Sequence, residues 1–308
     1  MDKITIGIPR GLLFYRYGDL WKSFFRKLGC EVVLSKATTQ ATLTAGSAIA
    51  LDEACLSLKI YLGHVQSLIG QCTYILIPRI SNLGKDRELC PRFEALYDVT
   101  RDTFRHSEQK FLTYDVDVKK GKTEETAFIA LGVSLGATHK DSKKAYSAAL
   151  KDAEQLWKER VKQQNLLLGK DGMHILIAAH SYVIEDPFMG KPITTYLTKQ
   201  GAIPLRADVG IREDALKSSR ALSPTCPWEL NREIIGGIRM YKNKVDGIIL
   251  LSAFPCGTDA MVNELLLREL SGIPMLNLVL DGQSGTAGLE TRLESFLDII
   301  RFRKELVL

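Results

Sequence analysis

The sequence lacks a long apolar run, a compact cysteine motif and a phosphate-binding loop. Across its 308 residues, no apolar stretch approaches the ~20 residues that cross a bilayer, so we expect no membrane association. Residues 1–3 lead directly into a strand-like run rather than a signal peptide, which favours a cytoplasmic protein. The Gly-rich run at 282–286 contains no lysine, which argues against ATP binding by this chain.

Charge of one sign is also scarce. The net charge is +5, and Lys and Arg are interleaved with Asp and Glu. The densest basic runs, at residues 119–122 and 140–144, are short and carry no interleaved aromatic residues. Because a nucleic-acid surface needs a basic stripe or patch, we expect no nucleic-acid partner.

Short apolar runs alternate with amphipathic stretches in two parts of the chain, as in repeated βα units. In the first part we predict strands at 4–8, 31–34, 74–77 and 110–114, with helices at 19–28 and 55–69. In the second part we predict strands at 174–178, 202–205, 247–251 and 275–280, with helices at 192–200, 228–241, 259–270 and 286–303. Strand, crossover helix and strand in succession imply a parallel sheet in each part.

The segment between these parts differs from both. Residues 119–168 are rich in Ala, Lys, Glu and Gln, contain no proline and have helical periodicity. We therefore predict an α/β protein of two Rossmann-like lobes: an N-terminal lobe over 1–118, a helical linker over 119–168 and a C-terminal lobe over 169–308. Ligands of open parallel sheets bind beyond the carboxyl ends of the strands, so we expect the site in the cleft between the lobes.

Six cysteines in a reducing compartment argue against a disulfide framework and leave packing, metal binding or redox chemistry. Cys30 and Cys72 lie at helix–strand junctions and are expected to be small core residues. Cys55 begins a predicted helix, where backbone N–H groups and the helix dipole stabilise a thiolate. Cys90 and Cys256 lie in loops beside proline or glycine.

Cys226 lies in a similar loop, between two prolines. No C-x-x-C motif is present, so the compact ferredoxin and zinc-finger patterns are absent. Ligands this far apart in the chain would have to be brought together by the fold. Spacing alone leaves two alternatives open, a shared metal site and unrelated partly buried thiols.

Several ordered motifs resemble one family, the activase-related (DUF2229-like) relatives of the 2-hydroxyacyl-CoA dehydratases and benzoyl-CoA reductases. The motifs are IGIPRGLLFY at 6–15, DEAC at 52–55, LGHV at 62–65, IPR at 77–79, CP at 90–91, HSY at 180–182, DPF at 186–188, FPCG at 254–257, GIP at 272–274 and GLETRLESF at 288–296. The resemblance covers nearly the whole chain. It implies two Rossmann-like lobes with an iron–sulfur cluster, [4Fe–4S] or a larger double-cubane cluster, in the interlobe cleft.

The resemblance also implies ligands and a partner. Cys55, Cys90 and Cys256 match the family's ligating cysteines, and three thiolates would leave one iron open to a substrate. Cys226 matches no expected cysteine, so it is an extra ligand, a thiol beside the cluster or an unrelated residue. An ATP-dependent activator protein would deliver low-potential electrons, and we expect a homodimer or a related subunit.

Three polar residues are candidates for catalysis. His180 and Tyr182 follow a predicted strand at its carboxyl end, where they could donate a proton or orient a substrate. His64 lies on the helix that Cys55 begins, and the alternative for it is a hydrogen-bonded helical histidine. Arg10 and Arg79 each follow a strand and a proline, where they could offset cluster charge or form structural ion pairs.

Three functions remain open from the sequence. The first is an iron–sulfur protein that accepts electrons from an activator and reduces or reductively dehydrates a small molecule at an open iron. The second is a non-catalytic cluster carrier or electron-transfer protein. The third is an α/β binding protein whose cysteines hold no metal. The chain is shorter than the dehydratase subunits, so a CoA-ester pocket is not implied.

Overall fold

A computed structural model describes residues 3–282 and 286–306 of the chain. The chain divides into two compact units, Met1–Glu159 and Arg160–Leu308. The boundary falls inside the predicted linker. The limits of the two lobes and of that linker stay predictions. The Gly-rich run of the sequence lies largely outside the described residues, at 283–285.

The first unit contains six strands and seven helices among its described residues, the last helix continuing past residue 159. In chain order they are β1 Thr5–Ile8, α1 Phe14–Lys27, β2 Glu31–Leu34, α2 Gln40–Ser47, α3 Leu56–Leu68, β3 Tyr74–Leu76, β4 Arg79–Asn82, α4 Pro91–Glu94, α5 Leu96–Thr103, β5 Lys110–Leu112, β6 Asp115–Asp117, α6 Glu124–Ser134 and α7 His139–Leu168. A short 3₁₀ turn, Val118–Lys120, follows β6.

The second unit contains four strands and six helices among its described residues. In chain order they are β7 Met173–Ala178, α8 Ser181–Ile184, α9 Lys191–Lys199, β8 Ala202–Arg206, α10 Arg212–Ser219, α11 Glu229–Tyr241, β9 Gly247–Ala253, α12 Gly257–Glu269, β10 Met275–Leu280 and α13 Thr286–Glu305. A 3₁₀ turn, Lys242–Lys244, follows α11.

Each unit is built on a four-stranded parallel sheet, as predicted. The strand orders are β2-β1-β3-β5 and β10-β9-β7-β8. All pairs in both sheets are parallel. When only the strands of each sheet are counted, in chain order, both sheets have the order 2-1-3-4. The second strand lies on one side of the first strand, and the third and fourth strands lie on the other side. The gap between the first and third strands is therefore the switch point, the place where open α/β sheets bind ligands.

All eight predicted strands are found, and each end lies within two residues of its prediction. The strand predicted at 110–114 ends at Leu112, and Asp115–Asp117 pairs instead with β4 in a separate two-stranded parallel sheet. The sequence analysis did not predict β4, α2, α5 or α10. β4 is short and follows Pro78, and its partner β6 lies far along the chain, so no local pattern indicates the pairing.

Aromatic packing fills the core of the first unit. Phe24 and Phe128 are fully buried and meet edge to face at 4.9 Å. Trp21 Nε1–H donates to the Tyr114 hydroxyl at 2.8 Å, so this buried indole has its partner. α1 is thereby held against the elements that follow β5, and its position fixes the loop that joins β1 to it.

Two glycines let α2 and α3 cross with their backbones in contact. A Cβ atom at Gly46 would lie 1.7 Å from the Lys59 carbonyl oxygen, and one at Gly63 would lie 2.1 Å from the Thr42 carbonyl oxygen. Any side chain at these positions would push the helices apart. This crossing sets the position of α3, which carries several candidate site residues.

Among the described residues, no helix is long and apolar enough to cross a membrane.

Candidate functional site

The carboxyl ends of the first and third strands of each sheet carry the predicted polar residues. In the second unit, His180 follows β7 and Cys256 follows β9, so the two flank the switch point. In the first unit, Arg10 follows β1 in the equivalent place. The strand order therefore brings His180 and Cys256 to the same edge of one sheet. This edge, at the carboxyl ends of the strands, is where site residues were expected.

In the first unit, Cys55 and Cys90 each occupy the position directly before a helix. Cys55 is the N-cap of α3 and Cys90 is the N-cap of the short helix α4. Arg92, two residues after Cys90, donates from Nη2 to the carbonyl oxygen of Glu53, two residues before Cys55, at 3.2 Å. This hydrogen bond holds the two cysteine-bearing segments side by side, although they are separated along the chain.

In the second unit, Cys256 is the N-cap of α12 and is largely buried. Its Sγ lies 3.4 Å from the Thr258 hydroxyl oxygen. Burial and then the carboxylate of Asp259 raise the pKa of the Cys256 thiol to about 12. The metal-free side chain is therefore a protonated thiol at neutral pH, and binding a metal would release its proton.

Cys226 lies just before α11, the neighbouring helix. Its Sγ contacts the carbonyl oxygen of Trp228 at 3.9 Å, and burial raises the pKa of its thiol. Asn231 in α11 donates from Nδ2 to Asp259 Oδ1 in α12 at 2.8 Å. The first turns of the two helices that follow Cys226 and Cys256 are thus joined by a direct hydrogen bond.

His180 is paired with a buried carboxylate. Its Nε2 lies 2.8 Å from Asp259 Oδ1, and both side chains are almost fully buried. The ring of Tyr182 stacks on the imidazole with centroids 4.9 Å apart and planes at 19°. Asp259 therefore links His180 to Cys256, because it contacts both the imidazole and the thiol. Tyr182 is joined to them by its stacking on His180.

The protonation of this pair follows from two opposing effects. Burial lowers the pKa of His180, but the charge and hydrogen bond of Asp259 outweigh it, and the net pKa is raised. Burial likewise raises the pKa of Asp259, and its bonds to His180, Asn231 and Cys256 reverse that, so the net pKa is lowered. Both shifts favour the form of the pair in which an imidazolium faces a carboxylate.

His64 lies in the first unit and has a different environment. It is buried on α3, and its Nε2 lies 3.0 Å from the Thr38 hydroxyl oxygen. Burial and then the charge of Arg10 lower the pKa of His64 to about 4, so the ring is neutral. His64 therefore fits the role of a hydrogen-bonded helical histidine better than the role of a proton donor.

The remaining sequence candidates have structural roles. Arg79 forms an ion pair with Asp98 at 2.6 Å and lies over the Tyr97 ring. Cys30 is buried, as expected, whereas Cys72 is only partly buried and directs its thiol to the carbonyl oxygen of Leu68 at 3.6 Å. All six cysteines carry thiols rather than disulfide bonds.

Sequence reasoning missed Asp259 and Asn231 as members of the site. Asp259 was identified only as the start of a helix, and an acidic residue in a first turn is explained by helix capping alone. Asn231 lies on the buried side of α11 and carries no motif. The signal that could have found Asp259 is its distance of three residues from Cys256, which places it in the same first turn.

The donor types fit an iron–sulfur cluster, but neither unit completes a metal site by itself. The described residues, taken over both units, include no group of three or more His, Cys, Asp or Glu side chains that could hold a metal ion. Each unit supplies two cysteines held at neighbouring helix starts. Thiolates in such positions are the usual ligands of iron–sulfur clusters.

The fold and these residues define a class: an α/β protein of two units with the same strand order, carrying cysteines at helix N-caps. Residues 5–209 match the family described as CoA enzyme activase uncharacterised domain (DUF2229), which spans 205 of the 308 residues. The chain belongs to this family. No curated protein matches the chain.

Solved structures are only distantly similar. The chain is 13% identical to the SBP FpvC of Pseudomonas aeruginosa in complex with Ni²⁺, covering 99% of this chain and 98% of that one, with a TM-score of 0.27. It is 12% identical to a Zn(II)-bound mutant variant of AdcAII from Streptococcus pneumoniae, covering 97% and 99%, with a TM-score of 0.29. It is 10% identical to ZnuA, covering 97% and 99%, with a TM-score of 0.25. Scores this low carry no argument about fold or metal binding.

Proposed function

We propose that the chain is an iron–sulfur protein in which Cys55, Cys90 and Cys256 bind the cluster. The observation that carries the proposal is their shared position, because each is the N-cap of a helix. The first N–H groups of a helix lack partners within it and can hydrogen-bond to a cluster-bound thiolate. In the metal-free protein, burial and Asp259 outweigh this effect at Cys256, so cluster binding would displace the proton of that thiol. α3 and α12, at 13 residues each, add a helix dipole of useful length.

The pairing of cysteine segments supports the same proposal. Arg92 joins the segments of Cys55 and Cys90, and Asn231 with Asp259 joins the helix starts after Cys226 and Cys256. On this basis we propose that Cys226 contacts the cluster as an additional residue and is not a permanent fourth ligand, because a fourth thiolate would close the open iron of a [4Fe–4S] cluster.

We propose a reductive function in which a bound cluster supplies low-potential one-electron transfer and an iron open to a substrate oxygen. The family name, CoA enzyme activase, supports a partner enzyme in a CoA dehydratase system. An ATP-dependent activator as electron donor is proposed from the resemblance of the sequence motifs. A small substrate would be reduced or reductively dehydrated. A homodimer or a related subunit belongs to the same proposal.

His180 and Tyr182 are the groups that would serve the substrate. Asp259 favours the protonated form of His180 at the carboxyl end of β7. Because Nε2 faces the Asp259 carboxylate, Nδ1 is the atom that would donate a proton to a substrate, leaving a neutral ring still bonded to Asp259. Tyr182 stacks on the ring and limits its rotation. His64 remains a proposed third residue, with its neutral ring limited to accepting or donating a hydrogen bond.

The test is iron and acid-labile sulfide counted per chain in anaerobically purified protein. Cys55→Ala, Cys90→Ala and Cys256→Ala should each lower iron content, whereas the matched Cys30→Ala and Cys72→Ala variants should keep it. Iron-free wild-type protein after anaerobic purification and reconstitution would contradict the proposal.

A second assay separates an enzyme from a cluster carrier. The iron-loaded protein is mixed with a cognate activator, ATP and a low-potential reductant, and the cluster is followed by electron paramagnetic resonance. ATP-dependent reduction followed by substrate turnover supports the enzyme. Transfer of the cluster to an apo-acceptor protein without turnover supports the carrier.

A further inference from the structure

Three buried polar atoms in the first unit have no hydrogen-bond partner among the described residues: Arg10 Nε, Ser57 Oγ and Tyr61 Oη. Ser57 and Tyr61 are only 3% and 2% exposed. Buried polar groups in folded proteins are nearly always paired, so three together at one place require an explanation.

The three groups belong to one place because α3 and the loop after β1 are in contact. Ser57 and Tyr61 are four residues apart on α3 and therefore lie on the same face, one turn apart. A Cβ atom at Gly11 would lie 3.2 Å from Tyr61 Cδ2 and 3.3 Å from Tyr61 Cα. The residue that follows Arg10 thus packs directly on Tyr61.

The loop that carries Arg10 is held in place from its other side. The backbone N–H of Arg10 donates to the Ser35 hydroxyl at 2.8 Å, and Ser35 is buried at the end of β2. Leu12, two residues on, has a φ of 48° and a buried side chain, an uncommon conformation for a residue other than glycine. The loop therefore holds Arg10 at the carboxyl end of β1, beside the switch point of this sheet.

The charge of Arg10 acts on the same helix face. His64, three residues after Tyr61, has its pKa lowered by burial and then by Arg10. The imidazole is neutral and bonded to Thr38, and burial raises the pKa of Tyr61, which keeps its proton. Arg10 thus contributes a positive charge, and Ser57 and Tyr61 contribute two hydroxyl donors.

We propose that Arg10, Ser57 and Tyr61 form a binding site for an oxyanion, the phosphate or carboxylate group of a small molecule. A guanidinium and two hydroxyls supply donors and one positive charge, which suits an anionic oxygen acceptor. Ser57 lies in the first turn of the 13-residue helix α3, whose N-terminus also favours an anion. A metal cation would be repelled by Arg10, and an apolar ligand would leave all three donors unpaired.

The site goes beyond the cluster function and does not require a cluster. Its three residues are in the first unit alone, and its donors are in place without iron. A metal-free protein should therefore bind the oxyanion, and the failure of either proposal would leave the other standing.

The experiment is isothermal titration of the full-length, iron-free protein with inorganic phosphate and, separately, with acetate, at constant ionic strength maintained with chloride. We expect saturable binding of at least one probe and a matching rise in melting temperature. Tyr61→Phe, Ser57→Ala and Arg10→Gln should each weaken binding by roughly tenfold or more, because each removes a hydrogen bond to a charged group.

Stability in chloride buffer provides a second readout. Without a bound oxyanion the Tyr61 hydroxyl has no partner in the part of the chain that the structure describes, so Tyr61→Phe should melt no lower than the wild type there. Tyr146→Phe is the matched control, since its hydroxyl lies 2.8 Å from Glu124 Oε1: it should melt lower but bind the probe normally. Arg26→Gln is the control for charge, because Arg26 is exposed. This variant loses the same positive charge as Arg10→Gln and should still bind the probe normally.

The two probes distinguish the source of the oxyanion. Binding of phosphate alone indicates a phosphorylated ligand, and binding of acetate indicates an organic acid. Absence of saturable binding for both probes would overturn the proposal. So would a Tyr61→Phe variant that melts lower in chloride buffer and does not respond to either probe, because that result indicates an internal water that bridges the three groups.

Discussion

Replacing His180 with glutamine should destabilise the second unit by about 3–5 kcal/mol near pH 5.5, the usual cost of breaking a buried ion pair from one side. The pair is 2.8 Å apart, and both side chains are almost fully buried, so solvent does not compensate for the lost partner. For a unit of this size, that loss corresponds to a fall of roughly 10 °C in melting temperature.

The effect should depend on pH because both groups titrate. The folded-state pKa of His180 is raised, so its contribution is complete below its ordinary value of 6.5 and is lost as pH rises through the folded pKa. The pKa of Asp259 is lowered, so its contribution is complete above 3.8 and is lost as pH falls. The pair therefore stabilises most between pH 3.8 and 6.5, and the cost of the variant should shrink toward pH 9.

The assay is guanidinium unfolding of the iron-free protein at pH 5.5 and 9, with hydrogen exchange of β9 peptides assigning the transition to the second unit. A double-mutant cycle of His180→Gln and Asp259→Asn should give a coupling of about 2 kcal/mol or more at pH 5.5. His174→Gln is the control, because its ring bonds to the carbonyl oxygen of Leu167 and should not couple to Asp259. A coupling below about 0.5 kcal/mol, or one equal at both pH values, would refute the reasoning.

Three further predictions follow from individual residues. In iron-free protein, iodoacetamide should alkylate Cys256 about tenfold faster per pH unit up to its pKa of about 12, and Asp259→Asn should speed the reaction at pH 8, as measured by mass spectrometry. A rate that levels off below pH 9 would contradict this. Because the neutral His64 ring must take up a proton, the free energy of unfolding should fall by roughly 3 kcal/mol as pH falls from 6.5 to about 4. Acid unfolding of His64→Gln, which lacks this group, should begin at a lower pH than acid unfolding of the wild type. Equal pH midpoints of acid unfolding in the variant and the wild type would contradict this prediction. Gly46→Ala should destabilise the first unit by about 2 kcal/mol or more, since its methyl group would collide with the Lys59 carbonyl oxygen, and an unchanged urea midpoint would be inconsistent with the helix crossing.

The strands of both sheets were predictable because burial on both faces leaves a continuous apolar run in the sequence. Residues 175–178 and 247–251 are of this kind, and both lie in strands of the structure. β4 and β6 were not predictable, since each is only three or four residues long and is stabilised by its pairing with the other. α2 was missed because it has few large apolar residues and is set by the Thr39 capping box and a backbone crossing.

The candidate site also contains residues that were predictable from the sequence and residues that were not. His180 and Cys256 were identified from their places after predicted strands, and strand order then brings both to one edge of the sheet. No sequence motif indicates that Asp259 links them. Nor does any motif indicate that Arg10 Nε, Ser57 Oγ and Tyr61 Oη are buried without hydrogen-bond partners among the described residues.

By itself, the sequence determined the α/β class, the two parallel sheets and the cysteines worth testing, because strand and helix periodicity and residue chemistry are local properties. Tertiary structure alone decided which buried polar atoms meet. Hydrogen bonds such as Arg92 to Glu53 and Asn231 to Asp259 join residues distant in the chain, and their formation depends on how whole helices pack.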